Sequence, residues 1–421
     1  MPVISLAAAD SGISTMQTEI DTIGNNVANA DSDGYQEQDV QFSDILTQQL
    51  TPGSGSTTDL ASTDPSSVGA GAQVAAMQTN FNQGAIVQTG VPTDAAIQGD
   101  GFFVVDQGGN SYYTRAGNFQ LDVNGTLSTA GGGIVQGWAG TTATTGPTGA
   151  ITIPSSMTLA PQETANITMG GNIPSGGAAF TTTATVFDAQ GNAVPLTLTY
   201  TPTTTTNQWT MQASVNGTNL FGSGVTLTFD SGGQLQSYSV NGGATTTVGA
   251  EGASISTTAA LPTGFNWKET AIKFDFPAPG SNNALTQYTT SQTAGVSTQD
   301  GYTEGSLQSW SIGQSGVITG TFTNGQSEQL GTIALADFSN PGGLENMGNL
   351  QYQTTAASGQ PQVGTPGSAG RGTLLGGALE QSNVDLANQL TSLIEAQTDY
   401  EADTKVVSST ETALQALVTN A

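Results

Sequence analysis

The chain has 421 residues and a formal net charge of -27, with 32 acidic residues opposed only by Lys268, Lys273, Lys405, Arg115 and Arg371, and it contains no Cys and no His. That balance excludes nucleic acid and anionic membrane surfaces as partners, because nothing is left to neutralise a row of phosphates. Without Cys and His there is no thiol nucleophile, disulfide, zinc or haem ligation, or Ser-His-Asp triad, so any catalysis would fall to carboxylates.

Taken in order, the first element is a helix. Leu6, Ala9, Ile13, Met16, Ile20, Ile23 and Val27 recur at alternating spacings of three and four, a seam along one helical face. The stretch NNVANADSDGY at residues 25–35 then imitates a calcium loop, since Asn29, Asp31, Asp33 and Gly34 have the D-x-[DN]-x-[DN]-G spacing. The closing carboxylate is missing, for the twelfth position is Val40, and the better reading is a helix stop. Asn25, Asn26 and Asn29 can bond neighbouring backbone groups there, and Asp33-Gly34 followed by Tyr35 turns the chain.

Residues 51–71, TPGSGSTTDLASTDPSSVGAG, have a linker's composition, with little to bury. GAGAQV at Gly69 lacks the strand and helix of a dinucleotide fingerprint and reads as a flexible joint. Beyond it the period changes. Ile97–Asp106, Thr183–Phe187, Leu196–Tyr200 and Val225–Phe229 are short apolar or alternating runs bounded by turn residues, hence strands. Asn-Gly pairs at Asn124, Asn216, Asn241 and Asn324 are hairpin signals of type I′. Trp138, Trp209, Trp267 and Trp310 are expected as core or turn anchors.

Thr-rich alternation begins near Pro147 and ends around Pro279, which predicts a β-domain inserted within another. In the last segment Leu386, Leu390, Leu393, Tyr400, Val407, Leu414 and Val418 share one three/four register, interrupted by Gln397, Thr404 and Glu411. Ser382 or Asn383 is expected to cap this helix. No apolar run reaches the length of about 18 residues of a membrane span, and the first thirty residues lack the pattern of a cleaved secretion signal. The protein therefore stays inside, or leaves by a route that reads no such signal.

The fold class expected is mainly β with long α-helical termini and discontinuous nested domains. Residues 1–35 and 373–421 would form a coiled-coil-like helical domain, 36–71 a linker, 72–145 and 290–372 an inner β-domain, and 146–289 an inserted outer one.

Four stretches carry a family resemblance: SGISTMQTEIDTIGNNVANADSDGY (11–35), IQGDGFFVVDQGGNSYYTRAGNFQLDVNGTLSTAGGGIVQGW (97–138), FSNPGGLENMGNLQYQTTAASGQP (338–361) and GALEQSNVDLANQLTSLIEAQTDYEADTKVV (377–407). Together the chain resembles the rod and hook axial proteins of the bacterial flagellum, and most of all the flagellar hook family. Tyr35-Gln36-Glu37 departs from the Phe-Lys common in that family, which puts a cationic contact there in doubt. Length, the large insertion and SGVITGTFTNGQSEQLGTIALADFSNP (315–341) favour hook over the shorter distal rod proteins.

The resemblance implies a structural subunit, with no enzyme activity, cofactor or metal, that polymerises with itself into a curved tube. That tube would act as a universal joint transmitting torque from rod to filament. Its implied partners are the distal rod protein, the hook cap protein, hook-filament junction proteins and the flagellar type III export apparatus, through which it would leave the cell unfolded. The polymerisation interface expected is Leu6, Ile13, Met16, Ile20, Ile23 and Val27 with Leu386, Leu390, Leu393, Tyr400, Val407 and Leu414. Lone helices of this size are marginal in water, so both ends are expected to be disordered until subunits pack. The alternatives are a distal rod protein, and an acidic extracellular adhesin or a glycosidase with two carboxylates in a cleft.

Overall fold

The computed structural model describes residues 2–45, 47–51, 66–140 and 146–419. It is mainly β, with one long helix near each end, α1 (Pro2–Ala28) and α2 (Leu386–Thr419). Two compact units divide the chain. One holds Met1–Ser155, Trp310–Gly320 and Glu328–Ala421, the other Ser156–Ser309 and Thr321–Ser327. The divisions fall later than residues 146 and 289 because of strand pairing. Gly149–Ala150 is hydrogen-bonded to Ile134–Ala139 in the first unit, and Gly295–Gln299 to Asn166–Asn172 in the second.

In the first unit the segment expected as a linker is partly sheet. β1 (Gln38–Asp44) pairs with β4 (Ala72–Thr79), and β2 (Thr47–Thr51) with β3 (Ser66–Gly69); the rest of the linker, residues 52–65, lies outside the described residues. The joint at Gly69–Gly71 is anchored, since the Ala72 amide donates to Ser11 Oγ of α1 at 3.2 Å. β5 (Ile86–Gln88) and β6 (Ala95–Gln98) pair with Ala378–Glu380 and Thr373–Gly376, so residues expected in the C-terminal helical domain begin as strands.

β7 (Phe102–Gln107) and β8 (Asn110–Thr114) form the hairpin at the centre. The FFVV run has no polar alternation because both faces of β7 are covered. Phe102 and Val104 join Tyr113, Trp138, Phe338 and Tyr352 in one core, while Phe103 meets Phe119 edge-on at 4.9 Å.

The second unit is two sheets sharing an apolar core. Phe180–Phe187, Ala193–Pro202, Gln208–Val215, Val225–Phe229, Leu235–Val240 and Thr245–Thr247 follow one another as an antiparallel meander. Asn166–Asn172 is the hub of the other sheet, beside Lys273–Phe276, Leu285–Thr286 and Gly295–Gln299. Strict alternation sends Val194, Leu196, Leu198 and Tyr200 inward and leaves Thr197 and Thr199 between them less covered. The inward rows meet Trp209, Phe221, Phe274 and Phe276.

Only two of the four Asn-Gly turns are of the expected kind. Asn216 and Asn241 take φ of 47° and 51° ahead of glycines that are also positive, whereas at Asn124 and Asn324 only the glycine is. There the Gly125 and Gly325 amides donate back to the carbonyls of Asp122 and Phe322, both at 2.9 Å, closing an ordinary turn before a left-handed glycine.

Candidate assembly site

The two terminal helices pack on each other within one chain. Each covers a face of the other, which supplies burial that a lone helix of this size lacks. Asn26 Nδ2 donates to Gln389 Oε1 at 3.2 Å, and a side chain on Gly12 would run into the carboxylate of Asp403. As α1 advances from Gly12 to Asn26, its partner retreats from Asp403 to Gln389, so the pair is antiparallel.

The seam is narrow and mixes polar with apolar side chains. α1 buries Ala9, Thr15, Thr22, Ile23 and Asn26, while Leu6, Ile13, Met16, Ile20 and Val27 are half-buried. On α2, Gln389, Ala396 and Thr410 are buried and Leu393, Tyr400, Val407 and Leu414 half-buried, at spacings of three and four. Leu386 and Leu390 are not in the seam. They stand 46% and 50% exposed, and with Ile394 at 62% they form an apolar stripe at successive spacings of four on an uncovered face of α2. α2 opens at Asp385, whose Oδ1 accepts the Ala387 and Asn388 amides at 2.9 and 3.3 Å, so neither Ser382 nor Asn383 is the cap.

The Asn-rich stop at the end of α1 is a clamp. Asn26, 1% exposed, donates to the Gln38 carbonyl at 2.8 Å, and its Oδ1 accepts from Tyr35 Oη at 3.0 Å and the Gln38 amide at 3.1 Å. One side chain thus ties α1, the turn, β1 and α2. Asn25 donates to Tyr35 Oη, Asn29 donates back to the Asn25 carbonyl, and Asn29 Oδ1 accepts from Ser32 Oγ, so the oxygen that would open a calcium loop serves the turn. Gly34 takes φ of 74° with an added Cβ only 2.6 Å from the Ala116 backbone, so this position admits glycine alone.

Below the turn, the C-terminal segment is locked to the central hairpin. The Gly34 amide donates to the Glu380 carbonyl at 2.7 Å, and the Glu380 carboxylate meets Arg115 Nη1 at 3.1 Å. Both side chains are buried, Arg115 also donating to the Gly99 carbonyl at 2.9 Å and lying 5.6 Å over the Phe102 ring. Asn383 accepts the Glu37 amide at 2.8 Å and donates to the carbonyls of Asn80 and Asn82. EQSNVD is therefore a splice between strand and helix.

The surroundings of the seam are acidic. α1 carries Asp10, Glu19 and Asp21, and α2 carries Glu395, Asp399, Glu401, Asp403 and Glu411 against Lys405 alone. Burial, with Asp399 and Glu395 across the seam, raises the Glu19 carboxyl above its ordinary 4.5. Glu37 is raised likewise by burial and by Asp39, despite hydrogen bonds from Asn80 and Gln389 that pull it down.

Sequence reasoning located the helices and the turn but missed Arg115, Glu380, Asn383 and Gln389 as structural partners. Their signal was faint: a lone base and a lone acid between apolar runs, 265 residues apart. Ile394 was missed because it breaks the register chosen for Leu386, Leu390 and Leu393.

Four family models match this architecture in order. The model described as flagella basal body rod protein covers residues 6–36, and the flagellar hook protein FlgE/F/G D1 domain covers 96–173. The flagellar basal body protein FlaE D2 domain covers 171–302, and the flagellar basal body rod FlgEFG protein C-terminal model covers 375–420. The chain is 32% identical to the flagellar hook protein FlgE of Treponema pallidum, with 98% of each chain covered. It is 31% identical to that of Escherichia coli, over 99% of each. A crystal structure of Helicobacter pylori flagellar hook protein FlgE2 aligns at 15% identity with a TM-score of 0.49, covering 68% of this chain and 98% of that one. Near-complete coverage at this identity, with the terminal, D1 and D2 matches in sequence order, places the chain in the flagellar hook protein FlgE family, as a structural subunit of the hook.

Proposed function

We propose that the subunit joins its neighbours through the outer face of its terminal helix pair, while the inner seam holds each chain's own ends together. The observation that carries this is the stripe of Leu386, Leu390 and Ile394, exposed on the flank of a helix whose neighbouring face is already covered. Each such side chain gains about 1.5–3 kcal/mol when fully buried, and a second copy brings the same acidic, apolar-striped helices. A stripe on one subunit meeting a different patch on the next makes a head-to-tail contact, which generates an open helix. The product is the curved tube that works as a universal joint between rod and filament.

The finer assignments rest on the family. The hook lies outside the cell, and its subunits travel unfolded through the type III export apparatus without a cleaved signal peptide. At its ends the tube meets the distal rod protein, the hook cap protein and the junction proteins. A polar outer surface of Thr, Ser and Asn suits subunits that slide past one another, since exchangeable hydrogen bonds lock no single register.

Electron microscopy and sedimentation of Leu390→Asp beside the unchanged chain test this reading. The variant is expected to keep its thermal unfolding profile and to form no tubes. Tubes of normal yield from the variant would sink the stripe as the interface.

A further inference from the structure

Asn-Gly pairs undergo a self-reaction. The glycine amide nitrogen, once deprotonated, attacks the Asn side-chain carbonyl carbon; the new C–N bond closes a succinimide, the Cγ–Nδ2 bond breaks, and nitrogen leaves as ammonia. Water then opens the ring at either carbonyl, giving aspartate or isoaspartate and one new negative charge. The reaction needs a free glycine amide and a mobile Asn side chain, and the four pairs differ in both.

At Asn124 the Gly125 amide is held by the Asp122 carbonyl at 2.9 Å, with the Gly125 α-carbon packed against Ile153 and Pro154. At Asn324 the Gly325 amide is held by Phe322 at 2.9 Å, and the side chain is tied at both ends, Nδ2 to the Thr303 carbonyl at 2.8 Å and Oδ1 to the Gln326 amide at 3.0 Å. At Asn241 the side chain is tied as well, Oδ1 accepting the Ser223 amide at 2.8 Å and Nδ2 donating to Thr258 Oγ1 at 3.0 Å.

Asn216 has none of these restraints. It is exposed at the tip between Gln208–Val215 and Thr218–Asn219, its side chain has no hydrogen-bond partner among the described residues, and neither has the Gly217 amide. Nothing lies within 4 Å of where a Gly217 Cβ would stand.

We infer that Asn216 is the site of spontaneous deamidation in the folded subunit, with the other three Asn-Gly pairs protected by the fold. The change adds a carboxylate to a chain already at -27 and, as isoaspartate, inserts a methylene into the backbone of a two-residue turn.

The test is incubation of the full-length folded protein at mildly alkaline pH, then digestion and mass spectrometry with isoaspartate detection at all four sites, beside the same protein in denaturant. Residue 216 should react about three- to tenfold faster than any other site for each hydrogen bond the others must open. In denaturant the four rates should converge, and Gly217→Ala should slow reaction at 216. Folded-state reaction at 124, 241 or 324 matching that at 216, or a rate at 216 that rises with unfolding as theirs do, would overturn the assignment.

Discussion

The second unit and the terminal helix pair are built from the same residue alphabet and held together in different ways. The second unit buries Trp209, Tyr200, Leu198 and Phe274 in one apolar core and turns its Thr outward. The helix pair buries Asn26, Thr15, Thr22, Gln389 and Thr410 beside Ala9, Ile23 and Ala396, only half-covers its larger seam residues, and leaves Leu386, Leu390 and Ile394 outside. The first arrangement is complete in one chain. The second satisfies its polar groups within the chain but leaves much of its apolar surface open until another surface covers it, as in a part made to be assembled.

Cavity-making substitutions should separate the two. Trp209→Ala is expected to cost the second unit about 3–5 kcal/mol, seen as an early calorimetric transition with the helical circular dichroism of the termini retained. Simultaneous loss of helix would mean that the units do not unfold separately. Arg115→Met should cost the first unit a similar amount, about 3–5 kcal/mol, because it leaves the Glu380 carboxylate buried without a partner. Adding Glu380→Leu should recover most of it. If the double variant is no better than the single, the pair matters through its links to Gly99 and Gly84 more than through charge.

A smaller loss is expected at the clamp. Asn26→Ala leaves the Gln38 amide and Tyr35 Oη without their acceptor and removes two donated bonds, a cost of about 1–3 kcal/mol. Hydrogen exchange should rise in α1 and the first residues of β1 and stay unchanged in Lys273–Phe276 of the second unit. A uniform rise would make Asn26 one stabilising residue among many.

The division between apolar and polar cohesion also explains what was legible in the sequence. Period-two alternation announced Leu196–Tyr200 and Val225–Phe229, and the three/four seam announced α1 and α2, because apolar burial writes a period. Polar stitching writes none. Arg115 and Glu380, or Asn383 and the Glu37 amide, meet only after the chain has travelled out and returned. β1 escaped notice because its burial is weak, and its partner β4 and the helix α1 beside it are brought there only by the fold. Leu386 and Leu390 share a three/four register with Leu393, yet the helix has two apolar lines, and only packing shows which is taken.

The smallest expected effect is on acidity and salt. Glu19 faces Glu395 and Asp399 across the seam, and burial raises its carboxyl first, those two charges next; Glu37 is raised by burial and Asp39. A carboxyl whose folded pKa lies above its unfolded value favours the folded state when protonated. Its contribution is fully present below 4.5, the ordinary value, and is lost as pH rises through the raised pKa. Helix pairing should therefore tighten as pH falls from neutral toward that range, the reverse of a chain held by carboxylate-cation pairs. Added salt should act in the same direction on assembly, since a Debye length of about 10 Å at 0.1 M spans the acids of neighbouring helices and shrinks to about 3 Å at 1 M. Light scattering at fixed protein concentration should show faster polymerisation at higher ionic strength, with Glu19→Gln reducing both dependences. Equal rates at low and high salt would show that the acidic surface lies away from the contacts, leaving the apolar stripe to set the rate alone.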